Sequence, residues 1–475
     1  MKNIELKVVA KQCCGPKDCS VEPAETTKHE AEIANAELPV AIIGAGPIGL
    51  AAAAHLVNRK QKFILIEAGS QIAHSIRKWG HVRLFSPWQY NIDKTARTLL
   101  LKHGWNAPSS DVFSLGKELV EQYLKPLAEL PKIKPHIMLD SQVIAVSREN
   151  IDKMKSTDRE QSPFVLYIES EGSTKRILAR AVIDSSGTWS NPNPLYASGV
   201  WTKEERSLQK HIVYGIPEFT EENKSRYEGK RVAVVGSGHS AINTLLDLVK
   251  LKESNSKTEL LWIMRKRKVD EAYGGEENDQ LEARGELGSR IHRLVNSGQI
   301  KVVTPLKIEK LSKIGEQLQI VGTVAGENLE IEGIDQIIVN TGSRPDFSFL
   351  REIRLSIDSA TESVETLAPL IDPNIHSCGT VRPHGAKELQ HHEKDFYIVG
   401  MKSYGRAPSF LMATGYEQVR SVVAYLTGDF EAAAKVELEL PETGVCSVNA
   451  RPVQAGAGES CCSTTSETAS SSCCN

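Results

Sequence analysis

Two glycine-rich turns lie some 190 residues apart, each after an apolar strand-like run and each opening a helical run. The first reads Val40-Ala41-Ile42-Ile43-Gly44-Ala45-Gly46-Pro47-Ile48-Gly49 and continues through His55 to a second apolar run, Phe63-Ile64-Leu65-Ile66, closed by Glu67. Strand, glycine turn, helix and strand in this order describe a parallel βαβ unit that receives a dinucleotide. Gly44 allows the tight turn, Gly46 lets backbone amides approach a pyrophosphate, and Gly49 lets helix and strand pack closely. Pro47 and Ile48 complete the turn where the positive end of the helix dipole faces phosphate. Glu67 is placed to accept from a ribose hydroxyl.

The second turn reads Val234-Val235-Gly236-Ser237-Gly238-His239-Ser240-Ala241, with Ala241 in the third small-residue slot. His239 and Ser240 stand at its helix start. Its next strand, Leu260 to Met264, ends in Arg265-Lys266-Arg267-Lys268 and shows no carboxylate. A carboxylate there would repel a 2′-phosphate, whereas Arg265 and Arg267 would attract one. The charge asymmetry predicts FAD at the first turn and NADPH at the second. A solvated charge run is the other reading of Arg265 to Lys268.

The chain has 475 residues, 40% of them hydrophobic, enough for two or three cores. A net charge of −3 and no basic face argue against a nucleic-acid partner. The longest apolar stretch, Val40 to Leu56, is broken by Gly44, Gly46, Pro47 and Gly49, so no membrane span is expected. The N-terminus is polar and shows no signal peptide, and the expectation is a soluble, cytoplasmic protein acting on a small-molecule substrate, with a homodimer allowed. No Gly-x-Ser-x-Gly elbow, His-Glu-x-x-His or P-loop lysine motif occurs, which excludes those hydrolase and phosphoryl-transfer classes.

The expected class is α/β with cysteine-bearing tails, and the resemblance set out in the next paragraph implies an FAD-binding Rossmann-like domain interrupted by an inserted NADPH-binding Rossmann-like domain. The divisions begin with a flexible tail over 1–37 and the first stretch of the FAD-binding domain over 38–200. The NADPH-binding domain follows over 201–340, then the second stretch of the FAD-binding domain over 341–430, and a low-complexity, cysteine-rich tail over 431–475. A helix is predicted from about Ser409 to Thr427.

The two nucleotide units resemble the two-dinucleotide-binding-domain flavoproteins when taken with two further turns, Asp184-Ser185-Ser186-Gly187-Thr188-Trp189-Ser190-Asn191-Pro192 and Thr341-Gly342-Ser343-Arg344-Pro345. Within that superfamily, that of the pyridine nucleotide-disulphide oxidoreductases, the chain is most similar to the flavin-containing and N-hydroxylating monooxygenases, over about residues 38–430. The resemblance implies that Gly187 and Gly342 mark the crossings between lobes and that Arg344 belongs to the interface. It also implies that Gly400-Met401-Lys402-Ser403-Tyr404-Gly405 and the following helix close over the flavin. The monooxygenase pattern Phe-x-Gly-x-x-x-His is absent, the nearest stretch being His211 to Gly215. Where many disulfide reductases have Gly-Asp, this chain has Gly400-Met401. The loop Trp79 to Tyr90, with Trp88 in the cofactor-contacting set, lies over the ring in the resembling families. Here it is either a water-excluding wall or an aromatic core loop.

From Ala68 to Ser377 there is no cysteine, so no dithiol stands where a flavin-linked disulfide would need one. Eight of nine cysteines lie in the tails, six of them as the adjacent pairs Cys13-Cys14, Cys461-Cys462 and Cys473-Cys474. Adjacent cysteines strain a disulfide, but paired soft thiolates suit thiophilic metal or metalloid ions, and a low-complexity tail with incidental cysteines is the alternative. The C-terminal pairs resemble that of mercuric reductase. His376, Cys378, His384, His391 and His392 fit no zinc spacing and read as exposed loop histidines near a pocket rim, with Cys378 a small buried residue.

Three functions follow. The first is an NADPH- and FAD-dependent monooxygenase that oxygenates a soft nucleophile (sulfur, nitrogen or a metalloid). The second is a reductase of a disulfide or thiol-bound metal(loid) working through the tail thiols. The third is a metalloid-binding thiol protein with a structural flavin. No residue stands out as general acid or base.

Overall fold

The computed structural model describes residues 37–278, 282–375, 381–407 and 410–438. Its elements are β1 (Val40–Ile43), α1 (Pro47–Asn58), β2 (Phe63–Ile66), β3 (Ile137–Met138), β4 (Ala181–Asp184), β5 (Ile212–Tyr214), β6 (Arg231–Val235), α2 (His239–Ser254), β7 (Glu259–Ile263), β8 (Lys301–Val303), β9 (Gln336–Val339), β10 (Phe396–Ile398) and α3 (Met412–Leu426). Short antiparallel strands join them.

The first sheet has the order β10-β4-β1-β2-β3 and the second β5-β9-β6-β7-β8, with every pairing parallel. Strand β10 follows the whole second sheet in sequence yet pairs with β4, so the second unit is inserted into the first. Central strands β1 and β4 are buried along their full length, as parallel strands covered on both faces must be. Each large aliphatic side chain buried there contributes about 1.5–3 kcal/mol.

Helix α1 approaches the sheet closely because Ala51, Ala52, Ala53 and Ala54 present only methyl groups, all fully buried. Helix α3 packs against α1, and a Cβ at Gly415 would stand 2.5 Å from Ile48 Cδ1. The helix predicted from Ser409 to Thr427 is observed as Met412–Leu426, with Ser409 outside the described residues. Three-stranded antiparallel sheets follow in each unit, Gln142–Arg148 with Phe164–Ser170 and Ser173–Ala179, and Lys307–Ile314 with Gln317–Val324 and Glu327–Ile334.

The chain leaves and re-enters the first unit along one seam. Asn193 N–H donates to the Gly342 carbonyl at 2.9 Å and Arg344 N–H to that of Asn191 at 3.0 Å. The Thr188 and Ser343 hydroxyls meet at 2.8 Å, and Arg344 Nε donates to Asn193 Oδ1 at 2.9 Å. Arg344 also lies 3.6 Å from the Glu362 carboxylate.

Candidate cofactor site between the two units

Gly44, just after β1, has φ +96°, and a Cβ there would come within 3.0 Å of Ser185 O and Ser186 Cα in the turn after β4. Both conditions require glycine. Gly49 is pressed against the turn itself, since its Cβ would lie 1.9 Å from the Gly44 carbonyl. The close contact expected between helix and strand is therefore made by the helix against its own loop. Gly46 faces open space: nothing stands within 4 Å of a Cβ there, so the turn has a cradle with room for a pyrophosphate. Pro47 opens the helix and Ile48 is buried against Gly400 and Gly415.

Glu67 clasps this loop. One carboxylate oxygen accepts from Ala45 N–H at 2.7 Å and the other from Gly69 N–H at 2.8 Å. A carboxylate has about four acceptor positions, so capacity for a ribose hydroxyl remains.

The second turn repeats the geometry on β6. Gly236 has φ +134° with its Cβ position 2.2 Å from the Asn340 carbonyl, and Gly238 opens on free space. Trp262 of β7, fully buried, donates from Nε1 to the Gly236 carbonyl at 2.7 Å and holds the turn from beneath. His239 begins α2, its ring centroid 5.8 Å from that of Phe85 in the first unit, and the Ser240 carbonyl accepts from Thr244 Oγ1 at 2.9 Å.

A cleft of roughly 1160 Å³ runs from this turn to the returning segment of the first unit. Gly236, Gly238, His239, Ser240, Arg265 and Gly342 line it. Arg265 donates to the Ala197 carbonyl at 3.2 Å, and Lys266 to that of Glu271. Arg267 is exposed and lies outside the lining. Phe85 comes from the aromatic loop that the sequence singled out, whereas Arg284 and Arg406 had no sequence signal of their own. Only the packing of distant segments brings these three to the cleft.

Trp88 is 2% exposed within the first unit's core and does not line the cleft. Of the two readings of its loop, this burial matches the aromatic core at Trp88. Its loop forms a strand, Arg83–Pro87, paired with Phe113–Leu115, and the alternation of side chains sends Phe85 to the cleft while the following turn sends Trp88 inward. Gly187 and Gly342 both hold positive φ at the crossings, +72° and +85°.

Gly400, φ +70°, is fixed by its N–H donating to Gln418 Oε1 at 2.7 Å. Next to it lies a buried ion pair that the sequence did not announce. Lys402 Nζ meets Asp184 Oδ2 at 2.7 Å with both side chains fully inaccessible, and lies 4.4 Å from the Phe349 ring centroid. The other Asp184 oxygen accepts from Ser186 N–H at 3.0 Å and Ser186 Oγ at 2.6 Å. Lys402 thus ties the turn after β10 to the turn after β4, the one that abuts Gly44.

His384 is 3% exposed and packs on Tyr404, so it is no rim histidine; burial lowers its pKa. Among the described residues no group of three His, Cys, Asp or Glu side chains could hold a metal. His376, Cys378 and the tail pairs Cys13-Cys14, Cys461-Cys462 and Cys473-Cys474 lie outside the described residues.

Residues 41–377 match the pyridine nucleotide-disulphide oxidoreductase family. The chain belongs to that family. It is an oxidoreductase of the FAD- and pyridine-nucleotide-dependent kind, and both glycine cradles fit such groups. The ferredoxin-NADP reductase of Halalkalibacterium halodurans is 22% identical over 352 residues, covering 73% of this chain and 86% of that protein. The bacillithiol disulfide reductase of Bacillus cereus is similar in fold, with TM-score 0.60, 19% identity, and 82% and 99% of the two chains covered. The cadaverine monooxygenase of desferrioxamine biosynthesis from Erwinia amylovora, solved with FAD, gives TM-score 0.57 at 12% identity over 86% of this chain and 99% of that one. These likenesses extend over both units. No helix among the described residues is long and apolar enough to cross a membrane.

Proposed function

We propose that NADPH reduces FAD in this protein and that the flavin then acts directly on a second substrate, as a monooxygenase of a soft nucleophile. The overall balance is substrate, O₂, NADPH and a proton giving oxygenated substrate, NADP⁺ and water. The observation that carries this reading is the lack of any cysteine from Ala68 to Ser377, in a chain whose two glycine cradles are both open. Without a dithiol in that span, electrons have no internal sulfur relay there.

The cofactors supply hydride transfer and oxygen activation; the chain's residues bind and orient. The amides around Gly46 and the start of α1 would hold the FAD pyrophosphate, with Glu67 shaping the loop and taking the ribose. The amides around Gly238, with His239 and Ser240 at the start of α2, would hold the second pyrophosphate. Arg265 would pair with a 2′-phosphate, and Arg267 sits farther out on the same loop. Gly400, Ile48 and the Asp184–Lys402 pair would fix the wall beside the flavin. Phe85 and Tyr404 narrow the cleft against water.

Anaerobic mixing with NADPH should bleach the flavin. On admitting oxygen, NADPH oxidation should couple to an oxygenated thioether or amine rather than to hydrogen peroxide alone. Full conversion of oxygen to hydrogen peroxide with every sulfur or amine nucleophile offered would overturn the reading.

A second reading, reduction of a disulfide or thiol-bound metal(loid) through the tail thiols, is favoured by the likeness to the bacillithiol disulfide reductase. Deleting residues 441–475 tests it. The relay requires loss of metal(loid) turnover with flavin reduction intact, whereas the monooxygenase should be indifferent to the deletion.

A further inference from the structure

The cleft lining holds four cations and one carboxylate. Arg265, Lys266 and Arg284 come from the inserted unit, as does Glu271, while Arg406 comes from the returning segment of the first. The cations of the inserted unit are engaged or buried: Arg265 on the Ala197 carbonyl, Lys266 on the Glu271 carbonyl, and Arg284 only 8% exposed. Arg406 differs, because its guanidinium is exposed and has no hydrogen-bond or ion-pair partner among the described residues.

Its backbone is nevertheless rigid. Gly405 has φ +61°, and a Cβ there would stand 2.2 Å from the Thr361 carbonyl, so the chain is pressed flat on the 361–363 segment. Arg406 N–H donates to Thr361 O at 2.7 Å, Gly405 N–H to Lys402 O at 3.1 Å and Ala407 N–H to Tyr404 O at 3.0 Å. Lys402 is itself locked to Asp184. The cleft wall beside Arg406 is apolar, made by Met401, Tyr404, Ala407, Phe410 and Leu411, with the Tyr404 and Phe410 rings edge to face at 5.1 Å.

We propose that this end of the cleft is the second-substrate site and that Arg406 anchors a carboxylate on a substrate whose body is apolar. A planar guanidinium with five fixed donors pairs bidentately with a carboxylate, and the aromatic wall removes the rest of the molecule from water. A rigid base under the anchor limits the ordering lost on binding. The proposal rests on the flavin-oxidoreductase reading and names the class of substrate for that same site: a soft nucleophile carried on an apolar carboxylic acid.

The test titrates the full-length, FAD-loaded protein with 1-naphthoate and with the neutral, similarly shaped 1-naphthamide, following the flavin absorbance. The native protein should bind naphthoate at least about tenfold more tightly than naphthamide, the scale of one charge-assisted contact. Arg406→Gln should make the two ligands equal, and Arg406→Lys should restore some of the preference. The rate of flavin reduction by NADPH, measured by stopped flow, should stay within about twofold in both variants. Equal binding of the two ligands by the native protein, no binding of either, or a preference that survives Arg406→Gln would overturn the assignment. So would a variant that loses NADPH affinity while keeping the carboxylate preference, since Arg406 would then serve the nucleotide. Failure of NADPH to bleach the native flavin would sink the oxidoreductase mechanism instead, while the naphthoate titration would still report on this site.

Discussion

In the first glycine turn the third small residue is Gly49, where a methyl group would stand 1.9 Å from the Gly44 carbonyl. In the second turn Ala241 carries that methyl and is fully buried without conflict. The first turn is clasped by a carboxylate on two backbone N–H groups, the second by the Trp262 indole on one carbonyl. The first turn is a clamp closed by its own helix and a carboxylate, with Gly46 open above it, and the second is held from beneath by an indole beside a wide cleft. The same strand-turn-helix order is therefore braced in two ways, and packing under the loop sets the difference.

The harshest way to break the comparison is to give both turns the same third residue. Gly49→Ala forces the Gly44 carbonyl to move, and the purified protein should be colourless, whereas Ala241→Gly should leave NADPH affinity within about threefold, with Gly for Ala in a helix costing about 1 kcal/mol of stability. Absorbance at purification and an NADPH titration decide it; a fully yellow Gly49→Ala protein would refute the closed clamp.

Acid should strike the first unit through its histidines. His391 accepts from Ser356 N–H at 3.1 Å while its buried Nε2 has no partner, and burial pushes its pKa down to about 4. Above the unfolded value near 6.5 both states are neutral and stability is complete. As pH falls from there towards 4 the unfolded chain takes up the proton first, and on the order of 3 kcal/mol is lost. Thermal midpoints across this window should fall less steeply in His391→Asn than in the native protein.

Removing one clasp acceptor sharpens the contrast more gently. Glu67→Gln keeps the shape but leaves one carbonyl oxygen to serve two N–H groups, so FAD should bind about ten- to a hundredfold more weakly by fluorescence titration. NADPH affinity should not follow. An unchanged FAD affinity would show that the clasp adds nothing to retention.

The smallest effect separates two arginines that the sequence treats alike. Arg265→Glu should cost NADPH about tenfold or more relative to NADH. Arg267→Glu, outside the cleft lining, should change the ratio by about threefold or less, and equal losses would show that the whole loop wraps the nucleotide.

Both βαβ units and their order could be read from the chain, because glycine turns and strand periods are local patterns, whereas the inserted arrangement was implied by the resemblance to two-dinucleotide-binding flavoproteins and rests on the long-range pairing of β10 with β4. Gly44, Gly46 and Gly236 are legible as glycines spaced between an apolar strand and a helix, although the Cβ conflicts at Gly44 and Gly236 are with the distant Ser185 and Asn340. The Asp184–Lys402 pair could not be read, since 218 positions separate its partners and only the pairing of β10 with β4 joins them. Trp88 and Phe85 were indistinguishable as aromatic loop residues until the strand Arg83–Pro87 fixed which faced inward. The sequence by itself determined two nucleotide cradles and the charge at each rim, because those depend on neighbours along the chain. Tertiary structure alone decided which basic side chains share the cleft and that the Arg406 guanidinium has no partner among the described residues, because that depends on how two separately built sheets meet.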